Sequence, residues 1–470
     1  MKIITELKKI IGEKNVLLGN DIENYRSDWT GKYRSNPLVV IKPGSTKEVS
    51  KVTKLCYDNN ISMVPVSGNT GLSGGTSAEN SVMISFERLN RIIEIKPETK
   101  IAIVEAGVIL TQIHEAVDKV NLVFPLTFGA KGSAMIGGAL STNAGGSNVL
   151  KYGNTRTLCM GIEAVLPNGK IVDLMSELHK DNTGYDLKDL FIGAEGTLGL
   201  ITAAVLKLFP KPIEFATAMV ATQSLEKALK VLNILQDETG QNVEAFEYMP
   251  ASYIETHLQK TPNARSPFEI KYDVNIMLEI GTTDPQKGSI QINGKSLLAQ
   301  SLEETLARLI ESGDVLDAVI AKSENQRIEM WERREASAEI TITDEPLIIT
   351  DVSVPLDKVS NFLKRMDKIL KEIDPNSRNL PVAHLGDGNI HYAIYPSKDD
   401  EALFDQINAR LEEVTQELGG SFSAEHGVGL SKKKSMKRRK DPIALEIMRI
   451  IKHGLDPKNL MNPGKVLPDS

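Results

Sequence analysis

Two of the chain's seven histidines flank a Gly-Asp-Gly turn in HLGDGNIH, residues 384–391. A two-residue Asp387-Gly388 loop between two strands would set Gly386 opposite Asn389, Leu385 opposite Ile390 and His384 opposite His391. Both imidazoles would then share one sheet face, with Cβ atoms about 4.5–5.5 Å apart, close enough to ligate one metal ion. The same eight residues suit two polar side chains on a solvated hairpin equally well. A second chemical pair, Glu425-His426 in AEHGVG, sends its side chains to opposite sides of an extended segment, so the two residues have different tasks.

Three glycine-dense stretches add a ligand-binding signal. VSGNTGLSGGTS (66–77) follows an apolar run and can present successive amides to an anion. It lacks the Gly-Lys-Ser/Thr of a nucleotide-triphosphate loop, and no GxGxxG opens a helix with an acidic residue some 20 positions on. GAKGSAMIGGALSTNAGGSNVLKYGNTR (129–156) and FIGAEGTLGLIT (191–202) extend the pattern. So much glycine costs backbone entropy that turns alone would not require, and it points to an extended, phosphate-containing cofactor threaded along main chain.

These residues must be positioned by more than one core, since 470 residues imply two or three domains. A net charge of −7 argues against a nucleic-acid footprint. Cys56 and Cys159 form no CxxC pair, which leaves a reducing compartment as the default. The N-terminal stretch reads as an amphipathic helix rather than a signal peptide, and no apolar run reaches the ~20 residues of a bilayer span. The expected location is cytoplasmic, at most peripheral to a membrane. Residues 1–212 alternate short β-rich runs with glycine loops and helices, one near 47–59. From 213 to 420 strands alternate with amphipathic helices, such as SLEKALKVLNILQ with Leu225, Leu229, Leu232 and Leu235 at helical spacing. That cadence predicts an antiparallel sheet covered by helices. The segment 421–470 is too small for its own core and is expected to pack back on another domain. Its run KKKSMKRRK (432–440), with seven basic residues, reads as a solvated helix face or as a dock for an electron acceptor, a partner subunit or anionic lipid.

The motifs VPVSGNTGLSGG, GAKGSAMIGGALSTNAGG, KDNTGYDLKDLFIGAEGTLGLIT, HLGDGNIH, AEHGVG and NPGK, in that order from residue 64 to 465, resemble the FAD-linked D-2-hydroxyacid dehydrogenases and oxidases of the vanillyl-alcohol-oxidase-like flavoproteins. The subgroup includes D-lactate dehydrogenases, glycolate oxidase catalytic subunits and D-2-hydroxyglutarate dehydrogenases. The resemblance implies an α+β chain. Its parts would be a two-subdomain FAD-binding domain (1–212), an antiparallel substrate-binding cap domain (213–420) and a C-terminal segment (421–470) returning to the flavin.

It also implies roles for individual residues. Val66, Ser67, Gly68, Asn69, Thr70, Gly71, Gly74 and Gly75 would wrap the FAD pyrophosphate. Pro125, Gly129, Ser133, Gly137, Gly138, Thr142, Asn143, Gly145, Gly146, Gly196 and Ile201 would line the rest, and Asn462 would reach the isoalloxazine. With no histidine or cysteine in 66–77 or 129–156, the FAD would be non-covalent. His384, His391 and Glu425 would hold a divalent metal, zinc before manganese or iron. His426 would be the general base and Asn389 an orienting group. In MWERREASAEI, Arg334 would bind the substrate carboxylate, with Arg333 a solvated neighbour. An alternative makes both arginines surface partners of Glu332 and Glu335. Hydroxyglutarate-specific members of the family it resembles carry a threonine four residues after this arginine and a lysine shortly before Asp-x-Ser-x-Pro, where this chain has Ala338 and, at about the second place, Ile349. A monocarboxylate such as D-lactate or glycolate is therefore expected over D-2-hydroxyglutarate. The acceptor could be a quinone, an electron carrier or a partner subunit, and a homodimer stays open. A non-catalytic flavin subunit is the competing reading.

Overall fold

The computed structural model describes residues 2–290 and 294–469. The chain divides into two compact units: Met1–Gly146, Tyr152–Pro210 and Glu425–Ser470 form one, and Ser147–Lys151 with Lys211–Ala424 form the other.

Among the described residues the first unit carries two larger sheets and a two-stranded one, Leu122–Val123 with Phe209–Pro210. One larger sheet has four strands in the order Val16–Leu17, Val39–Ile41, Val82–Ser85, Met63–Val66. Its last three are parallel, as expected of continuously apolar runs such as VVI and VMIS that are buried on both faces. Helices Lys2–Ile11 and Thr46–Asp58 close its core through Leu7, Ile11, Val49, Val52 and Cys56. Ser45 starts the second helix, its Oγ accepting from Glu48 N at 3.2 Å. The other sheet is antiparallel, in the order Ile92–Lys96, Ile101–Glu105, Leu200–Lys207, Cys159–Val165, Ile171–Leu174, and packs on helices Leu110–Asp118 and Ile136–Thr142. After helix Pro442–Leu455 the tail runs through turns and bends, with Met461 bridging Met63. The basic run forms helix Lys433–Arg439, of which only Met436 is buried. Among the described residues no helix is long and apolar enough to cross a membrane.

The second unit is one seven-stranded sheet. In chain order its strands are β1 Glu214–Thr222, β2 Val243–Pro250, β3 Val274–Thr282, β4 Asp317–Ile320, β5 Ile348–Ser353, β6 Arg378–His384 and β7 Asn389–Tyr395, arranged β4-β1-β3-β2-β6-β7-β5 with every pair antiparallel. The longer helices are α1 Leu225–Thr239, α2 Ala251–Lys260, α3 Leu297–Glu311, α4 Glu324–Glu335, α5 Val359–Ile373 and α6 Glu401–Glu417. The apolar stripes of α1, α3, α5 and α6 cover one face, where Leu225, Leu232 and Leu235 join Phe246, Leu278, Tyr392 and Ile394. Ser224 and Gly240 bound α1, by a side-chain cap and a left-handed residue. Alternation along the strands sends Thr217, Glu247, Glu279, Asp351, His384 and His391 to the opposite face, where α2 and α4 lie over Met219, Met249 and Met277.

The histidine hairpin departs from the expected register. His384 pairs with Asn389, and His391 with Val382, across a four-residue loop Leu385–Gly388. The Gly386 amide donates to Phe246 O at 3.1 Å, and Asp387 Oδ1 accepts from Asn389 N at 3.0 Å, so neither Gly386 nor Asp387 is left to continue the ladder. The shift is two residues, which keeps both imidazoles on one face; a one-residue slip would have separated them. Gly388 closes the loop at φ +83°, with space for a Cβ only 2.2 Å from Val354 O. Gly388→Ala is therefore expected to destabilise the protein by about 1–3 kcal/mol in a urea titration.

Candidate active site

Glu247 on β2 stands directly opposite His384 on β6 and is 1% exposed. Its carboxylate accepts from His384 Nδ1 at 2.9 Å and from Arg334 Nε on α4 at 2.8 Å. Arg334 and His384 are nearly as buried. Burial alone would push the Glu247 carboxyl up, but the charges of His384 and Arg334 outweigh it and hold the group below the ordinary carboxylate range. An ionised Glu247 accepts the Nδ1 proton of His384 and fixes the orientation of the ring. Arg334 Nη2 lies 3.4 Å from both ring nitrogens. His391 completes the cluster, its ring centroid 5.2 Å from that of His384 at 79°. Asp351 faces His391 in the β5–β7 register, with Oδ1 3.9 Å from Nδ1. Asn389, opposite His384, is 4% exposed, and both its amide atoms are buried without a hydrogen-bond partner. That is the state expected of a side chain that awaits a polar ligand.

The two arginines behave differently from a solvated helix. Arg333 is as buried as Arg334, and its Nη2 donates to Arg265 O at 2.9 Å. Burial lowers its guanidinium below the usual range. The solvated reading of Arg333 and the surface pairing of either arginine with Glu332 or Glu335 are both corrected, because the Tyr253 hydroxyl donates to Arg333 O at 2.7 Å and pins α4 to the sheet layer. Arg334 Nε is taken by Glu247, and its Nη2 lies against the His384 ring. Ala338 lies in the short helix Ser337–Thr341, and Ile349 is 50% exposed on the face that carries Asp351.

In the first unit the glycine loops have a mixed purpose. A Cβ on Gly68 would lie 2.1 Å from Ser133 O, and one on Gly146 would lie 2.0 Å from Thr127 O. Part of the glycine density therefore lets the loops pack on one another, which corrects the attribution of all of it to a cofactor. Gly71 and Gly129, by contrast, have open space at their Cβ positions. The side chains of Asn69 and Asn143 are engaged inside the loops, by Ser27 O and Thr76 Oγ1 and by Arg156 N respectively. Asn462 Nδ2 donates to Gly75 O at 3.1 Å and Glu195 O at 2.8 Å, while its Oδ1 is buried without a partner. That orphaned acceptor and the open glycines fit a large ligand with hydrogen-bond donors. Around His426, the Ser73 hydroxyl donates to His426 O at 3.0 Å. Sequence reasoning missed Glu247, Asp351 and Glu195; for Glu195 the signal was a lone acidic residue among the glycines of GAEGTLG.

Two family models match consecutive parts of the chain: "FAD binding domain" over residues 37–175 and "FAD linked oxidases, C-terminal domain" over 211–466. The mitochondrial D-2-hydroxyglutarate dehydrogenase of Arabidopsis thaliana is 34% identical over 471 residues, 100% of this chain and 82% of that protein. The chain belongs to the FAD-linked D-2-hydroxyacid dehydrogenase family. Another relative of this flavoenzyme, D-2-hydroxyglutarate dehydrogenase of Stutzerimonas stutzeri, is 33% identical over 99% of this chain and 98% of its own length. Solved structures of p-cresol methylhydroxylase (TM-score 0.74, 17% identity, 100% of this chain and 96% of that one) and alkyldihydroxyacetonephosphate synthase (0.73, 16%, 99% and 86%) share its fold.

In this dehydrogenase, removing one member of a buried ion pair leaves the other uncompensated. Glu247→Ala is expected to cost about 3–5 kcal/mol by urea denaturation, and Glu247→Leu combined with Arg334→Met less than the single change.

Proposed function

We propose that the protein oxidises a short D-2-hydroxy acid to the 2-oxo acid, using non-covalent FAD and a divalent metal held by His384, His391 and Glu425. The observation that carries this reading is the buried Arg334–Glu247–His384 cluster beside His391 and the unpartnered Asn389 amide. In this reading it sets a carboxylate-binding cation next to two imidazoles.

In this reading the Arg334 guanidinium holds the substrate carboxylate, and Asn389 orients its hydroxyl. The hydroxyl proton passes to the His426 imidazole as the carbonyl forms and the Cα hydrogen leaves as hydride. When bound, FAD supplies the two-electron acceptor for that hydride. Zinc, or manganese or iron on the same ligands, would supply Lewis-acid polarisation of the hydroxyl. Asp351, beside His391, orients that ring or adds a carboxylate to the set. Anaerobic mixing of the FAD-loaded protein with D- and L-2-hydroxy acids is expected to bleach the flavin with the D series only, and a chelator or His384→Ala is expected to abolish bleaching. No reduction by any D-2-hydroxy acid would overturn the reading; reduction that survives both metal removal and His384→Ala would overturn the metal.

Ile349 supports a monocarboxylate, D-lactate or glycolate in type, because an aliphatic side chain stands half-exposed on the site face where a second carboxylate needs a cation. The names of the relatives favour a second reading, D-2-hydroxyglutarate. Relative kcat/KM values distinguish the two. Under the first, D-lactate is preferred, and Ile349→Lys with Ala338→Thr is expected to raise the D-2-hydroxyglutarate/D-lactate ratio about 10–100-fold, the worth of one charged hydrogen-bonding pair. A wild-type preference for D-2-hydroxyglutarate would establish the second.

A further inference from the structure

The segment that carries His426 has no regular secondary structure, and it is held in place by one buried side chain from the third glycine loop. Glu195, 8% exposed, accepts from Val428 N at 2.6 Å and Gly429 N at 2.8 Å. Its main chain accepts from Asn462 Nδ2 at 2.8 Å. The first glycine loop adds a second hold: Ser73 Oγ donates to His426 O, and Ser73 O accepts from Leu430 N at 2.7 Å. Gly427 lets the chain come this close, since a Cβ there would sit 2.8 Å from Glu195 Oε1. Glu195 itself has φ +51°, a left-handed conformation that favours glycine or asparagine. A turn alone therefore does not call for glutamate at this position; the side chain is what the position uses.

We propose that Glu195 is a positioning residue for the reaction: its carboxylate, with Ser73, fixes the 426–430 backbone so that the His426 imidazole is held in one orientation relative to the flavin loops. The proposal rests on the assignment of His426 as the base. A carboxylate accepts both amides, whereas a glutamine amide accepts one and turns a donor toward the other, so Glu195→Gln keeps the shape and loses half the hold.

The test compares Glu195→Gln, Glu195→Gly and Ser73→Ala holoenzymes with wild type, using D-lactate and D-2-hydroxyglutarate as probes. The measurements are flavin content, KM, the anaerobic flavin-reduction rate and hydrogen exchange of the Val428 and Gly429 amides. Both Glu195 variants are expected to keep FAD and KM, to lose protection at the two amides and to slow reduction roughly 10–100-fold. Glu195→Gly decides between roles, because a residue serving only as a left-handed turn would be neutral or stabilising as glycine. Unchanged amide protection, or lost protection with an unchanged rate, overturns the proposal. If the Glu195 variants fail to retain FAD, Ser73→Ala, which removes only the bond to His426 O, is still expected to slow reduction at constant KM, and an unchanged rate there overturns it. His426→Asn separates the two readings: if it leaves the rate unchanged the base assignment fails, while the exchange data still judge the Glu195 hold.

Discussion

A fully buried carboxylate on the sheet of the second unit fixes the arrangement on which the proposed chemistry depends. Glu247 binds Arg334 from a helix and His384 from the neighbouring strand, so one side chain sets the positions of a guanidinium and an imidazole together. Burying three ionisable groups is costly unless each is paired, and the Glu247 network meets that condition for Arg334 and His384. The sheet makes it feasible: strict alternation on β2 sends Phe246 and Tyr248 into the helix-covered core and Glu247 to the other face.

The first unit meets a related requirement with different means. The segment that carries His426 is irregular, and its order comes from main-chain amides gathered on Glu195 and from Asn462 and Ser73 tying distant loops together. Glycines serve there as much for the approach of one loop to another, as at Gly68 against Ser133, as for space beside a ligand.

What could be read from sequence follows from how local each determinant is. Leucine spacing in 225–235 and the apolar runs at 39–41 and 82–85 are local, and the corresponding elements form. The shared face of His384 and His391 was legible because period-two alternation survives an even register shift. The register itself was not, since Gly386 is captured by Phe246 O, a partner 140 positions earlier in the chain. Glu247 left no mark in VEAFEYMP, because its partners are 87 and 137 residues away. Arg333 read as solvated because α4 is strongly polar in sequence, and only the Tyr253 hydroxyl and Arg265 carbonyl show that it is buried.

The central claim is that Glu247 prepares His384 to ligate a metal. Calorimetric titration of zinc into metal-free wild type and Glu247→Gln measures this directly. The variant is expected to remain folded and to bind zinc about 10–100-fold more weakly, the usual cost of weakening the carboxylate partner behind a ligating histidine. Equal zinc affinity in the two proteins would contradict it.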